Sequence, residues 1–170
     1  MKTINRNLLI QRIYSAQSEK SQGRGISCVQ TLLFYASCGE MDKAEAVCVN
    51  EGDKISSYPE IQKLIFLLCS EYRANLKRLS AVFGWKDPTA DLPEALEYEE
   101  YDSVVLKEDY RKGDVFIPGG SGGAIVHKYT DKDFVVECFD DKGNTIGVET
   151  FSDFQFDALA LPPKVLLGGK

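Results

Sequence analysis

A single histidine, His127, occurs among the 170 residues. That scarcity removes most imidazole chemistry: a cysteine–histidine zinc site has little to work with, and a serine triad has one place to find its base. The five cysteines, Cys28, Cys38, Cys48, Cys69 and Cys138, are odd in number and form no CxxC pair, so a disulfide framework fits poorly. Cys28, Cys48 and Cys69 sit among apolar residues at helical spacing and read as free, buried thiols of a reducing compartment. No apolar run approaches the roughly 18 residues of a membrane span; the longest, Leu64 to Cys69, stops at Ser70. The opening MKTINRNLLIQRIYSAQSEK has no secretory core followed by a small-residue cleavage site, so a cytoplasmic location is expected, with no membrane partner.

The charges are present but unevenly placed. Residues 1–83 carry 11 Lys and Arg against 8 Asp and Glu, a net of +3; residues 84–170 carry 9 against 18, a net of −9. The apolar pattern changes at the same point, from helical spacing to short β-rich runs punctuated by Gly and Asp.

In the first part, Leu9, Ile13 and Ala16 fit a short helix. Ile26, Val29, Leu33 and Ala36 define a second, which Gly39 can end in the left-handed conformation. Asp42 is placed to cap a third, closed by Gly52. Ser57-Tyr58-Pro59-Glu60 reads as a capping box with proline in the first turn. The helix it opens carries Ile61, Leu64, Ile65, Leu68, Tyr72, Leu76 and Leu79 on one stripe. The stretch LLFYASCGEMDKAEAVCVNEG resembles one tetratricopeptide-type hairpin, but no second copy follows at a period of about 34 residues, which favours a generic helical hairpin. Residues 84–100, with Pro88, Pro93 and six carboxylates, read as an acidic connector.

Five strands are expected beyond it: Ser103–Leu106, Asp114–Ile117, Gly123–Tyr129, Asp133–Phe139 and Thr145–Phe151. In DFVVECF, alternation puts Phe134, Val136 and Cys138 on one face. Thr130-Asp131-Lys132 and Asp140 to Asn144 read as hairpin turns. Such short antiparallel strands suit a small, partly open barrel.

The order YDSVVLKEDY…KGDV…GGAIVHKY…DFVVECFDDKGNTIGVETF resembles a family of small bacterial SH3-like barrels of unknown function. The matching positions are Asp102, Val104, Val105, Leu106, Gly113, Asp114, Gly123, Ile125, Val126, Val136, Glu137, Phe139 and Gly143, over roughly residues 101–160. FIPGGSG (116–122) departs from it by lengthening the segment before the third strand. The resemblance implies a fold more than a function, although such families also stand beside bacterial toxin systems.

GGSGG in that departure invites two chemical readings. A nucleophilic Ser121 needs a base, yet His127 falls on the following strand, where alternation places it with Ile125 and Tyr129 as a packed or half-exposed residue. A phosphate loop needs GxxxxGK[ST] opening a helix, and GGSGG runs into a strand with no such continuation. Asp140 and Asp141 lack the spacing of a calcium loop. No catalytic, metal or cofactor site is therefore expected, and GGSGG reads as a loop tip.

These observations lead to an α+β protein: an N-terminal helical bundle (1–83), an acidic connector (84–100), and a C-terminal five-stranded antiparallel SH3-like barrel with a tail (101–170), the bundle packed against the barrel. The expected function is protein binding rather than catalysis, in the form of a bacterial immunity protein. It would neutralise a cognate toxin, contact-delivered or secreted and of a basic nuclease type, through an acidic surface. The candidate protein-binding residues are Asp87, Asp91, Glu94, Glu97, Tyr98, Glu99, Glu100 and Tyr101, whose aromatics would anchor the partner. KGDVFIPGGSGGAIV also resembles the KOW type of SH3-like barrel, which implies a nucleic-acid or ribosome-associated role. The net −9 of that half opposes phosphate binding. An enzyme with a site assembled from scattered carboxylates and cysteines is the third alternative.

Overall fold

Helix boundaries follow capping chemistry in the computed structural model, which describes residues 5–21, 26–70 and 96–166. The Asn5 side chain accepts the Leu8 amide at 3.2 Å and opens α1 (Arg6–Lys20). The second helix, α2 (Ser27–Ser37), ends as Gly39 suggests. Gly39 takes φ +77°, its amide donates to Ala36 O at 3.1 Å, and the Glu40 amide reaches Tyr35 O at 2.9 Å. Those two bonds are a Schellman closure.

Two expectations fail nearby. Helix α3 (Met41–Asn50) begins before Asp42, which lies in its first turn rather than capping it. Gly52 does not close α3 but starts a short α4 (Gly52–Ile55). Helix α5 (Pro59–Ser70) opens on Pro59, where the missing amide hydrogen costs nothing. Its Ile61, Ile65 and Leu68 are buried with Leu9, Ile13, Val29, Leu33, Ala44 and Cys48 in one core, joined by Leu166 of α6 (Pro163–Leu166). The rest of the expected stripe, Tyr72, Leu76 and Leu79, lies outside the described residues.

The chain divides into two compact units, one within residues 1–96 and 160–170, the other 97–159. The second contains β1 (Ser103–Leu106), β2 (Tyr110–Lys112), β3 (Val115–Ile117), β4 (Gly122–Lys128), β5 (Asp133–Phe139), β6 (Thr145–Ser152), a 3-10 turn at Asp153–Gln155, and β7 (Phe156–Ala158). Five of these form an antiparallel sheet in the order β6-β5-β4-β1-β7, and β2 and β3 form a separate ribbon. The protein is thus α+β, with helices in its N-terminal half and this sheet in its C-terminal half. The expected second strand falls in the ribbon instead of the sheet, and β7 takes the fifth place.

The face of β5 predicted to point inward does so. Phe134, Val136 and Cys138 are buried with Val104, Leu106, Ile117, Ile125, Phe151 and Phe156. Burial pushes the Cys138 thiol up to about 11, which keeps it protonated and inert. The ribbon packs onto β6: the Tyr110 ring meets Phe151 edge-on at 4.8 Å, and its hydroxyl donates to Glu149 at 3.1 Å. No helix among the described residues is long and apolar enough to cross a membrane.

Candidate functional site

The acidic segment enters the second unit as an irregular stretch leading into β1. Its first carboxylates, Asp87, Asp91 and Glu94, lie outside the described residues. From Glu97 onward the side chains separate into two roles.

Tyr98 is half-buried and packs against the core. Its ring packs edge-on against Phe156 at 5.0 Å and Phe134 at 6.0 Å, and burial raises its hydroxyl pKa. It is not the exposed anchor that its place in an acidic run suggests, because the turn following it faces the ring inward. That turn is built by Asp102, which is buried. Its Oδ2 accepts the Glu99 amide at 2.7 Å, and its own amide donates to Glu99 O at 3.2 Å. The carboxylate closes the four-residue turn Glu99–Asp102 on itself.

Tyr101, inside this turn, has φ +74° and is 84 % exposed. A left-handed backbone is uncommon for a bulky residue and costs on the order of 1–3 kcal/mol. The conformation is held by the Tyr101 amide, which donates to Ile125 O at 2.7 Å. The ring is therefore displayed from a fixed backbone.

A bulge in β4 supplies its neighbours. The β4–β5 register shifts between Ile125 and His127, with Ile125 opposite Val136 and His127 opposite Val135. The extra residue, Val126, turns outward together with His127. His127 thus leaves the face of Ile125 that simple alternation assigned to it. Its Nδ1 lies 3.1 Å from Glu100 Oε1, and its ring meets Tyr129 edge-on at 4.9 Å. Lys128 bridges Glu97 at 3.2 Å and Asp131 at 3.1 Å. The result is an exposed patch of Tyr101, Val126, His127 and Tyr129 edged by Glu97, Glu99 and Glu100. Alternation from Ile125 already points Val126 outward, but His127 and Tyr129 have no such signal in the sequence, since a bulge is invisible to a period-two pattern.

GGSGG has a geometric role. A Cβ on Gly123 would lie 2.7 Å from Val136 Cγ1 and 2.9 Å from Glu137 O, so only glycine lets β4 lie this close to β5. One on Gly119 would sit 3.0 Å from the Glu108 backbone. Ser121 acts through its main chain, its carbonyl accepting the Leu106 amide at 3.0 Å. The only imidazole is engaged with Glu100 and Tyr129.

Residues 97–159 carry 15 Asp and Glu against 6 Lys and Arg, a net of −9. Lys107 pairs with Asp157, Lys112 with Glu149, and Arg111 lies over the Phe116 ring at 4.4 Å. Among the described residues no cluster of three or more His, Cys, Asp or Glu is placed to hold a metal ion.

Residues 100–158 match a domain of unknown function (DUF4926). The matched segment begins within the turn that displays Tyr101 and ends in β7, so it contains most of the patch and nearly all of the sheet unit. No curated protein and no solved structure matches the chain.

Proposed function

We propose that this chain is a protein-binding module that carries out no reaction, and that Tyr101 is the anchor of its contact surface. Tyr101 carries the reading: a tyrosine held in solvent on a left-handed backbone, with carboxylates around it. Such a ring offers a partner a large apolar contact whose backbone ordering is complete before binding. The rim of Glu97, Glu99 and Glu100, within a unit of net −9, selects for a basic partner and speeds its approach. An immunity protein that neutralises a basic, nuclease-type toxin in the bacterial cytoplasm fits these properties. It needs a rigid, charged, aromatic-bearing surface and nothing catalytic.

The sheet is read as an SH3-like, partly open barrel. The order β6-β5-β4-β1-β7, the ribbon folded onto β6, and the bulge at Val126 support this reading, because bulges and glycines are what bend a sheet toward closure. The KOW-like alternative has less support: Lys107, Lys112, Lys128 and Arg111 already serve carboxylates or a ring, and phosphate binding needs a basic face.

The test is capture from the native cells with the full-length tagged chain, its Tyr101→Ala variant and the triple reversal of Glu97, Glu99 and Glu100 to Lys, each with and without nuclease. A stoichiometric protein partner, resistant to nuclease, should be lost with Tyr101→Ala. The reversal should slow its association by about tenfold at low salt and less at high salt. Recovery that requires intact RNA, or a partner indifferent to both variants, would overturn the reading.

A further inference from the structure

At the far end of β1 from Tyr101, a cavity of about 230 Å³ lies between residues 107–110 and the 3-10 turn of Phe154. We propose that it receives an arginine side chain presented by a protein partner.

Its size comes first. Sites for small molecules and cofactors usually span about 300–1,000 Å³. This one suits a single long side chain.

Two of its lining residues are aromatic. Phe154 is 71 % exposed, on a turn pinned by a reciprocal cap in which the Ser152 amide donates to Gln155 Oε1 at 2.9 Å. Tyr110 is held by Glu149 through its hydroxyl and by Phe151 through its ring. Two such surfaces accept the methylene stem of a cationic side chain and the face of a planar cation.

Its lining carries two carboxylates. Glu108 is exposed and its carboxylate has no partner among the described residues. Asp109 uses Oδ1 to accept the Gly119 amide at 2.8 Å and keeps Oδ2. Lys107, the cation among the described lining residues, is already matched by Asp157 at 3.3 Å. A guanidinium has a fork of donors for two carboxylates and a plane that stacks on rings, which an ammonium lacks. Arginine is therefore the occupant that uses every wall.

The inference rests on the protein-binding reading only for the source of the side chain. The cavity itself can be tested with the full-length chain and a capped Gly-Arg-Gly peptide, followed by amide shifts in NMR, beside the lysine and citrulline homologues. Shifts should be confined to residues 106–110 and 153–155, and citrulline, which keeps the shape without the charge, should bind at least about fivefold more weakly. Glu108→Gln and Phe154→Ala should each weaken the arginine peptide by about threefold or more, with unchanged spectra elsewhere, and Tyr101→Ala should leave it unaltered. Equal binding of citrulline, shifts elsewhere, or indifference to both cavity variants would remove the site and leave the Tyr101 surface standing. Conversely, a captured partner indifferent to Tyr101→Ala would remove that surface while leaving peptide binding intact.

Discussion

Two irregular segments serve opposite ends of β1, and each contains a residue of positive φ. In the loop from Pro118 to Ser121 that residue is Gly120, at +85°, whose amide donates to Leu106 O at 2.8 Å. In the turn from Glu99 to Asp102 it is Tyr101, at +74°. Both use the conformation to deliver a main-chain hydrogen bond to the sheet, and a glycine does so without steric cost. Where glycine stands, the conformation explains the residue. Where tyrosine stands, the residue costs stability and exposes a ring. The contrast is why the proposed contact surface is placed in EYEEYD rather than in the more conspicuous GGSGG.

Variants sharpen that contrast. The largest effect is expected at Gly123, the strand end of the glycine segment. Gly123→Val pushes its Cβ against Val136 and Glu137 O and should cost about 3 kcal/mol or more in urea denaturation followed by circular dichroism. Next come the two positive-φ sites, with opposite signs. Gly120→Ala should destabilise by about 1–2 kcal/mol, whereas Tyr101→Gly should stabilise by about 1 kcal/mol while abolishing partner capture. A Tyr101→Gly protein that loses stability would show that the ring supports the fold, and the contrast would collapse.

A smaller effect is expected in acid. The Lys112 ammonium and Tyr110 hydroxyl beside Glu149 hold its carboxyl below the usual range. A lowered folded pKa means that its contribution is present above the unfolded value of about 4.3 and is lost as pH falls through the folded value. Glu149→Gln should therefore flatten the decline of the urea midpoint between about pH 5 and about pH 3, leaving neutral stability lower than in the parent. The smallest effect belongs to Ser121→Ala. Because Ser121 acts through its main chain, the variant should stay within about 0.5 kcal/mol of the parent and keep its partner.

Much of the sheet was legible because its strands alternate. Ser103–Leu106 and Asp133–Phe139 match the expected bounds, and β4 and β6 differ by a residue. The two strands not anticipated, YRK and FDA, have three residues each, too few to show a period. In the helical half, Gly39 and Pro59 punctuate as glycine and proline should. Asp42 misled because α3 begins one residue before it, at Met41, and Gly52 misled because the chain resumes a helix two residues after Asn50. The patch was half legible. Its carboxylates and Tyr101 stand in one run, but Tyr98 in the same run packs against the core, and His127 and Tyr129 arrive through a bulge. Which of two tyrosines in an acidic run faces water is decided by a turn that Asp102 closes, and that is a three-dimensional fact.

The pairing of β1 with β7 has a further consequence. Val104 lies opposite Ala158, and the Tyr98 ring rests on Phe156, so the way in and the way out of the 97–159 unit are side by side. In chain order the unit is an interruption of the other, which resumes at residue 160. A segment whose ends already meet can be lifted out, closed into a ring by a short linker, or set into a loop of an unrelated host without stretching either. Its surface, Tyr101 and Phe154 included, would travel with it as a portable cassette.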